Sequence, residues 1–225
     1  MLAYVFWHRP GEGTPEDVYE REHLAFHRSL QRSPPVGLRG SMVVRLAQIP
    51  WMAAGGGGAS EVDGPAVDAP ALQPPVSGGG AGIAGGYEDW YLLADFTALG
   101  VLNEAAVGRG HRTSHDRVAR HFGTGAGGLY CLVEGEPLTS PGALAGASLA
   151  VWIARAPGSS RRGLGDLLGD GMDPCHASLW RRQLVLGPAP EFCLLTSEPT
   201  SGVAHARLPA GWSAHTLERE PLFDG

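Results

Sequence analysis

Lysine is absent from this 225-residue chain: every one of its 17 basic side chains other than histidine is an arginine. With 34 glycines beside it, that bias reflects base composition of the gene and carries no functional weight. Excess positive charge is lacking too. The formal net charge is -6, and no basic cluster exceeds the pairs Arg161-Arg162 and Arg181-Arg182, so no nucleic acid is expected as a partner. Cysteine is scarce. Cys131, Cys175 and Cys193 are odd in number, far apart and form no CxxC, which argues against a disulfide framework or a thiolate zinc site and predicts small buried apolar residues. No stretch approaches the roughly 20 apolar residues that span a bilayer, so no membrane partner is expected. The opening MLAYVFWHRP has no positive n-region and loses its apolar character after Trp7; it reads as a strand, not a leader, and predicts a cytoplasmic protein. P-loop and GxSxG motifs are missing, and Gly55 to Gly58 is low-complexity sequence, so neither nucleotide chemistry nor a serine nucleophile is expected.

What remains is an ordinary globular composition, 43% hydrophobic and 18% charged, in a chain long enough to bury a core. Residues 2 to 8 form an apolar strand stopped by Arg9-Pro10-Gly11. Thr14-Pro15-Glu16-Asp17 then opens a helix, with Thr14 as cap and Pro15 in the first turn. Tyr19, His23, Phe26 and Leu30 follow on one stripe until Ser33-Pro34-Pro35. A strand over Met42 to Ile49, a glycine-rich insertion over 52–86 and a strand over Trp90 to Ala94 come next. A helical region from about Thr97 to Phe122, broken near Gly108 to Gly110, and a strand over Leu129 to Val133 complete a βαββαβ order.

After a linker over 137–148 the pattern returns. Ala3 to Gly11 lies over Ala150 to Gly158, Ser41 to Arg45 over Ser178 to Arg182, Trp90 to Leu93 over Phe192 to Leu195, and Val133 to Leu138 over Leu217 to Leu222. Between Ser197 and Trp212 there is room for a turn but not for a second helix. The expected fold is therefore α+β: tandem ferredoxin-like βαββαβ units forming an intramolecular α/β barrel. The first unit is 1–136 with its insertion at 52–86, and the second, reduced unit is 148–225. Pairing two such sheets removes exposed edges and encloses a cavity.

The segment Tyr4 to Gly11, followed by Thr14 to Glu20 and His23, resembles the opening of EthD-type proteins of the dimeric α/β-barrel superfamily. The resemblance implies a barrel of paired units. It also implies a function among cofactor-free monooxygenases, polyketide cyclases, lactone isomerases or haem-dependent enzymes. A histidine near the end of the first helix is common in the family, and His23 or His27 matches it.

His23 and His27 share a helix face at i, i+4. Leu24 rather than glutamate follows His23, so the zincin motif is absent and no metal is expected. The structural reading makes His23 a core-edge residue and His27 a half-exposed one; the functional reading makes them acid–base groups. On the first strand Leu2, Tyr4, Phe6 and His8 share a face, with Ala3, Val5 and Trp7 on the other. The repeat pairs His8 with Arg155 and Arg45 with Arg182, a set suited to an anionic or enolic ligand: arginine holds the anion and histidine moves the proton. Tyr91 joins as a donor, while Asp95 reads as the cap of the second helical region. The expected function is thus a small-molecule barrel for an aromatic or polyketide-like ligand, without cofactor, as a monomer or homodimer. The alternatives are haem binding through His111, His115 or His121, and a non-catalytic scaffold.

Overall fold

The computed structural model describes residues 1–52, 85–108, 110–135, 146–156, 158–159, 177–186, 190–197 and 208–225. Most of the glycine-rich insertion, most of the linker, Cys175 and residues 198–207 lie outside the described residues. Strand β1 (Leu2–Pro10) leads to helix α1 (Glu16–Arg32). The helix starts one position later than expected: Pro15 is its N-cap, no side chain caps it, and the Thr14 N–H closes a turn on Gly11 O at 3.1 Å. Glu16 and Asp17 still occupy the first turn, where carboxylates favour the helix dipole.

Strands β2 (Leu38–Leu46) and β3 (Gly86–Leu93) follow. The helical region splits into α2 (Phe96–Asn103), a π-helical turn (Glu104–Gly108) and α3 (Arg112–Ala119). Asp95 caps α2 as expected, accepting from Ala98 N–H at 2.9 Å. Asp95→Ala is accordingly expected to cost about 1 kcal/mol, read as a lower midpoint in urea denaturation. The remaining strands are β4 (Phe122–Gly135), β5 (Leu149–Ala154), β6 (Ala177–Leu186), β7 (Phe192–Thr196), β8 (Ser213–Glu218) and β9 (Glu220–Asp224). Gly123 to Gly128 satisfies the spacing GxGxxG, but it runs inside β4 and not between a strand and a helix, so it is no dinucleotide loop.

The nine strands of the described residues form one antiparallel sheet in the order β8-β5-β7-β6-β4-β1-β3-β2-β9. Its end strands β8 and β9 are separated in sequence only by Arg219, so the sheet curls until its two ends are successive pieces of chain. The concave face carries a buried aromatic core. Trp7, Trp90, Trp152, Trp180, Tyr130 and Cys193 belong to a single buried cluster fed by β1 through β8, with Trp7 and Trp152 at 4.9 Å between ring centroids. Cys193 is thus buried as expected, whereas Cys131 is half-buried, its Sγ 3.0 Å from Gln183 Nε2. The helices cover the convex face of β1, β3 and β4, where Leu2, Phe26, Leu30, Leu93, Leu102 and Leu129 pack together. Among the described residues no helix is long and apolar enough to cross a membrane.

Two of the four sequence matches slip by one position. Met42 and Trp90 point into the concave cluster, whereas their counterparts Leu179 and Phe192 lie in a convex one. A one-residue slip in a strand reverses every side chain, so the expected correspondence of Arg45 with Arg182 puts them on opposite faces.

Candidate functional site

The site grows from strand alternation beneath α1. In β1 and β3 the register sets His8 opposite Tyr87, Phe6 opposite Asp89 and Tyr4 opposite Tyr91. Period 2 turns Tyr87, Asp89 and Tyr91 toward the helices. The buried stripe of α1, Tyr19, His23, Phe26, His27 and Leu30, descends on this face. Asp89 therefore meets imidazoles from two elements at once.

One carboxylate oxygen is the hub. Asp89 Oδ2 lies 2.9 Å from His23 Nε2, 3.3 Å from His8 Nε2 and 3.3 Å from His27 Nε2, and accepts from the Tyr91 hydroxyl at 3.1 Å. Outward from the hub, the Tyr19 hydroxyl shares a hydrogen bond of 2.6 Å with His8 Nδ1. His27 Nδ1 is 2.9 Å from Ser41 Oγ, and its Nε2 is 3.1 Å from the Tyr91 hydroxyl. His8 Nε2, His23 Nδ1 and Asp89 Oδ1 are buried without a directed hydrogen bond.

Burial pushes His8 and His27 toward the neutral form, against the pull of the Asp89 charge. Burial opposes ionisation of Asp89 as well, but His23, His8 and His27 outweigh it and hold the carboxyl well below its usual range. Tyr91, Tyr19 and Tyr4 are all raised, first by burial and then by the Asp89 charge, so their hydroxyls stay protonated as donors.

Beside the hub is a cavity of about 610 Å³. Its polar end carries His8, Tyr19, His23, Asp89 and Tyr91; its walls are Tyr4, Phe6, Phe26, Leu102, Val118 and Phe122. Tyr91, Tyr4, Phe6 and Phe122 form a stacked series with centroid separations of 6.0, 6.2 and 5.7 Å. The whole is a large apolar cleft with a few converging polar groups, the usual anatomy of a small-molecule site.

The structure brings His8, His23 and Tyr91 together, and it does not gather the arginines with them. Arg45 is turned outward to Glu20 and Glu220. Arg155 is engaged by Glu191 at 2.6 Å, and Arg182 stands on β6 opposite Tyr130 of β4. The expected cavity ringed by arginines fails because Arg45 and Arg155 are held by carboxylates elsewhere and the register slip at β6 puts Arg182 on the same face as Trp180. His27, expected to be half-exposed, is fully buried.

Of the histidines considered for haem, His111 has both ring nitrogens engaged, by Ser29 Oγ at 3.0 Å and Ser33 O at 2.9 Å. His115 lines the cavity against Phe26. His121 accepts from Gly11 N–H through its carbonyl at 2.7 Å.

Sequence reasoning missed Asp89 as a site residue, and it placed Tyr19 only on a packing stripe. A strand begun at Trp90 leaves Asp89 outside; the alternation Tyr87, Asp89, Tyr91 was the available signal. No family model and no curated protein matches the chain.

Proposed function

We propose that this protein binds a small enolisable molecule, aromatic or polyketide-like, in the convex-face cavity and catalyses proton transfer on it without a nucleotide cofactor. The observation that carries this reading is the convergence of three imidazoles and a tyrosine hydroxyl on Asp89 at the polar end of an aromatic-walled cleft. In this reading an acidic C–H beside a carbonyl gives up its proton to the imidazole cluster. The developing oxyanion accepts from tyrosine hydroxyls that burial keeps protonated. Tyrosine thus takes the part that the sequence suggested for arginine.

The scaffold we infer is a pair of ferredoxin-like units closed into a barrel within one chain. Its support is the strand order: β4-β1-β3-β2 in the first half and β8-β5-β7-β6 in the second are the same permutation, and β8 continues into β9 across the seam. Closure within the chain favours a monomer.

The test is deuterium incorporation at the acidic carbon of a panel of aryl β-diketones in D2O, followed by proton NMR. The wild type is expected to accelerate exchange of at least one member. His23→Gln is expected to reduce that acceleration by about 100-fold or more. No acceleration across the panel, or equal rates in the variant, would sink the reading.

A further inference from the structure

We propose that Nε2 of His8, Nε2 of His23 and a carboxylate oxygen of Asp89 form a three-ligand site for one divalent first-row transition metal, with its remaining positions facing the cavity. The donor atoms lie within 4.8 Å of one another, and all three residues are buried. Asp89 Oδ2 stands 3.3 Å from His8 Nε2 and 2.9 Å from His23 Nε2. Metal–ligand bonds of about 2.1 Å set neighbouring donors roughly 3.0–3.4 Å apart, and the two carboxylate–imidazole separations come close to that spacing. His8, His23 and Asp89 all line the cavity, which leaves the open side toward a bound molecule.

Hydrogen bonding alone does not account for the cluster. Three imidazole nitrogens and the Tyr91 hydroxyl crowd Oδ2, while Oδ1 of the same buried carboxylate has no hydrogen-bond partner and neither has His8 Nε2. A carboxylate oxygen offers about two acceptor sites. The bonds from His23 Nε2 and the Tyr91 hydroxyl fill those sites on Oδ2, which leaves His8 Nε2 and Oδ1 undirected, and a cation shared between imidazole and carboxylate would give both a partner. Charge agrees with this: a carboxylate as buried as Asp89 calls for a compensating cation.

The surroundings also resemble the outer sphere of a metal centre. The far nitrogen of His8 is held by Tyr19, and Tyr91 donates to the ligating carboxylate, contacts that fix ligand orientation. The helix pair His23 and His27 is not the ligand pair; His23 is joined instead by His8 from the adjacent strand, a combination that no linear motif reveals. Two imidazoles and one carboxylate suit Fe2+, Co2+ or Zn2+ over Mg2+ or Ca2+. The inference rests on the reading of the cavity as the reaction site: His8 and His23 serve as ligands in the metal-loaded protein and as the proton-accepting imidazoles in the stripped one, with Tyr19 and Tyr91 as donors in both.

The experiment is titration of chelator-stripped protein with Co2+, read by visible d–d absorption. One Co2+ per chain is expected. His8→Gln, His23→Gln and the near-isosteric Asp89→Asn should each weaken binding by at least about 10-fold, with far-UV circular dichroism retained, and His215→Gln should leave it unchanged. Absence of d–d bands at stoichiometric Co2+, or bands indifferent to the variants that remain folded, overturns the metal site. Full deuterium exchange by stripped protein would then leave the proton-transfer reading standing. Cobalt bound at the three residues with no exchange on any substrate would instead defeat that reading and keep the metal site.

Discussion

Asp89→Asn is expected to lower the deuterium-exchange rate by about 10²–10⁴-fold, the range that positioned acid–base groups supply. The substitution keeps the shape of the side chain and removes its charge. It also places an amide NH2 at one of two positions where His8, His23, His27 and Tyr91 now face a carboxylate. If the amide oxygen takes the Oδ2 position, the imidazoles keep a neutral acceptor; if the nitrogen does, donors oppose donors. Either way the charge that pulls against burial at His8 and His27 is gone. The double variant Asp89→Asn with His23→Gln should lose little more than either single one, because residues acting as one unit do not contribute additively. Kinetics of the four proteins on the best β-diketone would decide this. Multiplicative losses would mean that Asp89 and His23 act independently, and the hub would not be the reacting centre.

The order of strands and helices in the first half follows from punctuation: Pro10-Gly11 stops β1, Glu16 and Asp17 mark the start of α1, and Asp95 caps α2. The alternation of β1, which divides Tyr4, Phe6 and His8 from Val5 and Trp7, is equally plain, and the structure follows it. The limits of β3 were not legible, since consecutive carboxylates at Glu88 and Asp89 look like a loop to any rule that keeps ionised groups out of cores. Each is buried because a different set of partners meets it on either face, and those partners lie far away in sequence. Register in the second half failed for a related reason. Similar residues align equally well one position apart, yet that shift moves Leu179 and Phe192 from one face to the other. Arg182 was paired with Arg45 from that alignment and inherited its error.

The largest expected loss of stability lies on the other face of β3, at Glu88. Its carboxylate accepts from Trp7 Nε1 at 2.8 Å and Trp90 Nε1 at 2.7 Å, and it meets Arg219 Nε at 3.3 Å. Both side chains of this ion pair are essentially without exposure, at 0% for Glu88 and 1% for Arg219. Arg219 also donates to Ala147 O at 2.8 Å and stacks on the Trp90 ring at 5.8 Å. It occupies the single position between β8 and β9, so the pair fastens the seam of the curled sheet to its centre. Glu88→Ala strands a buried guanidinium and two indole N–H groups, and is expected to cost about 3–5 kcal/mol. Arg219→Met leaves the carboxylate with its two indoles and should cost less. The double variant Glu88→Gln with Arg219→Met removes both charges while keeping an amide oxygen for an indole, and should be more stable than Glu88→Ala. Urea denaturation followed by tryptophan fluorescence gives the three values. Hydrogen exchange at β9 should quicken in Glu88→Ala before the rest of the sheet. A cost below about 1 kcal/mol for Glu88→Ala, the scale of an exposed ion pair, would show that the seam is held by strand pairing and the tryptophan cluster instead.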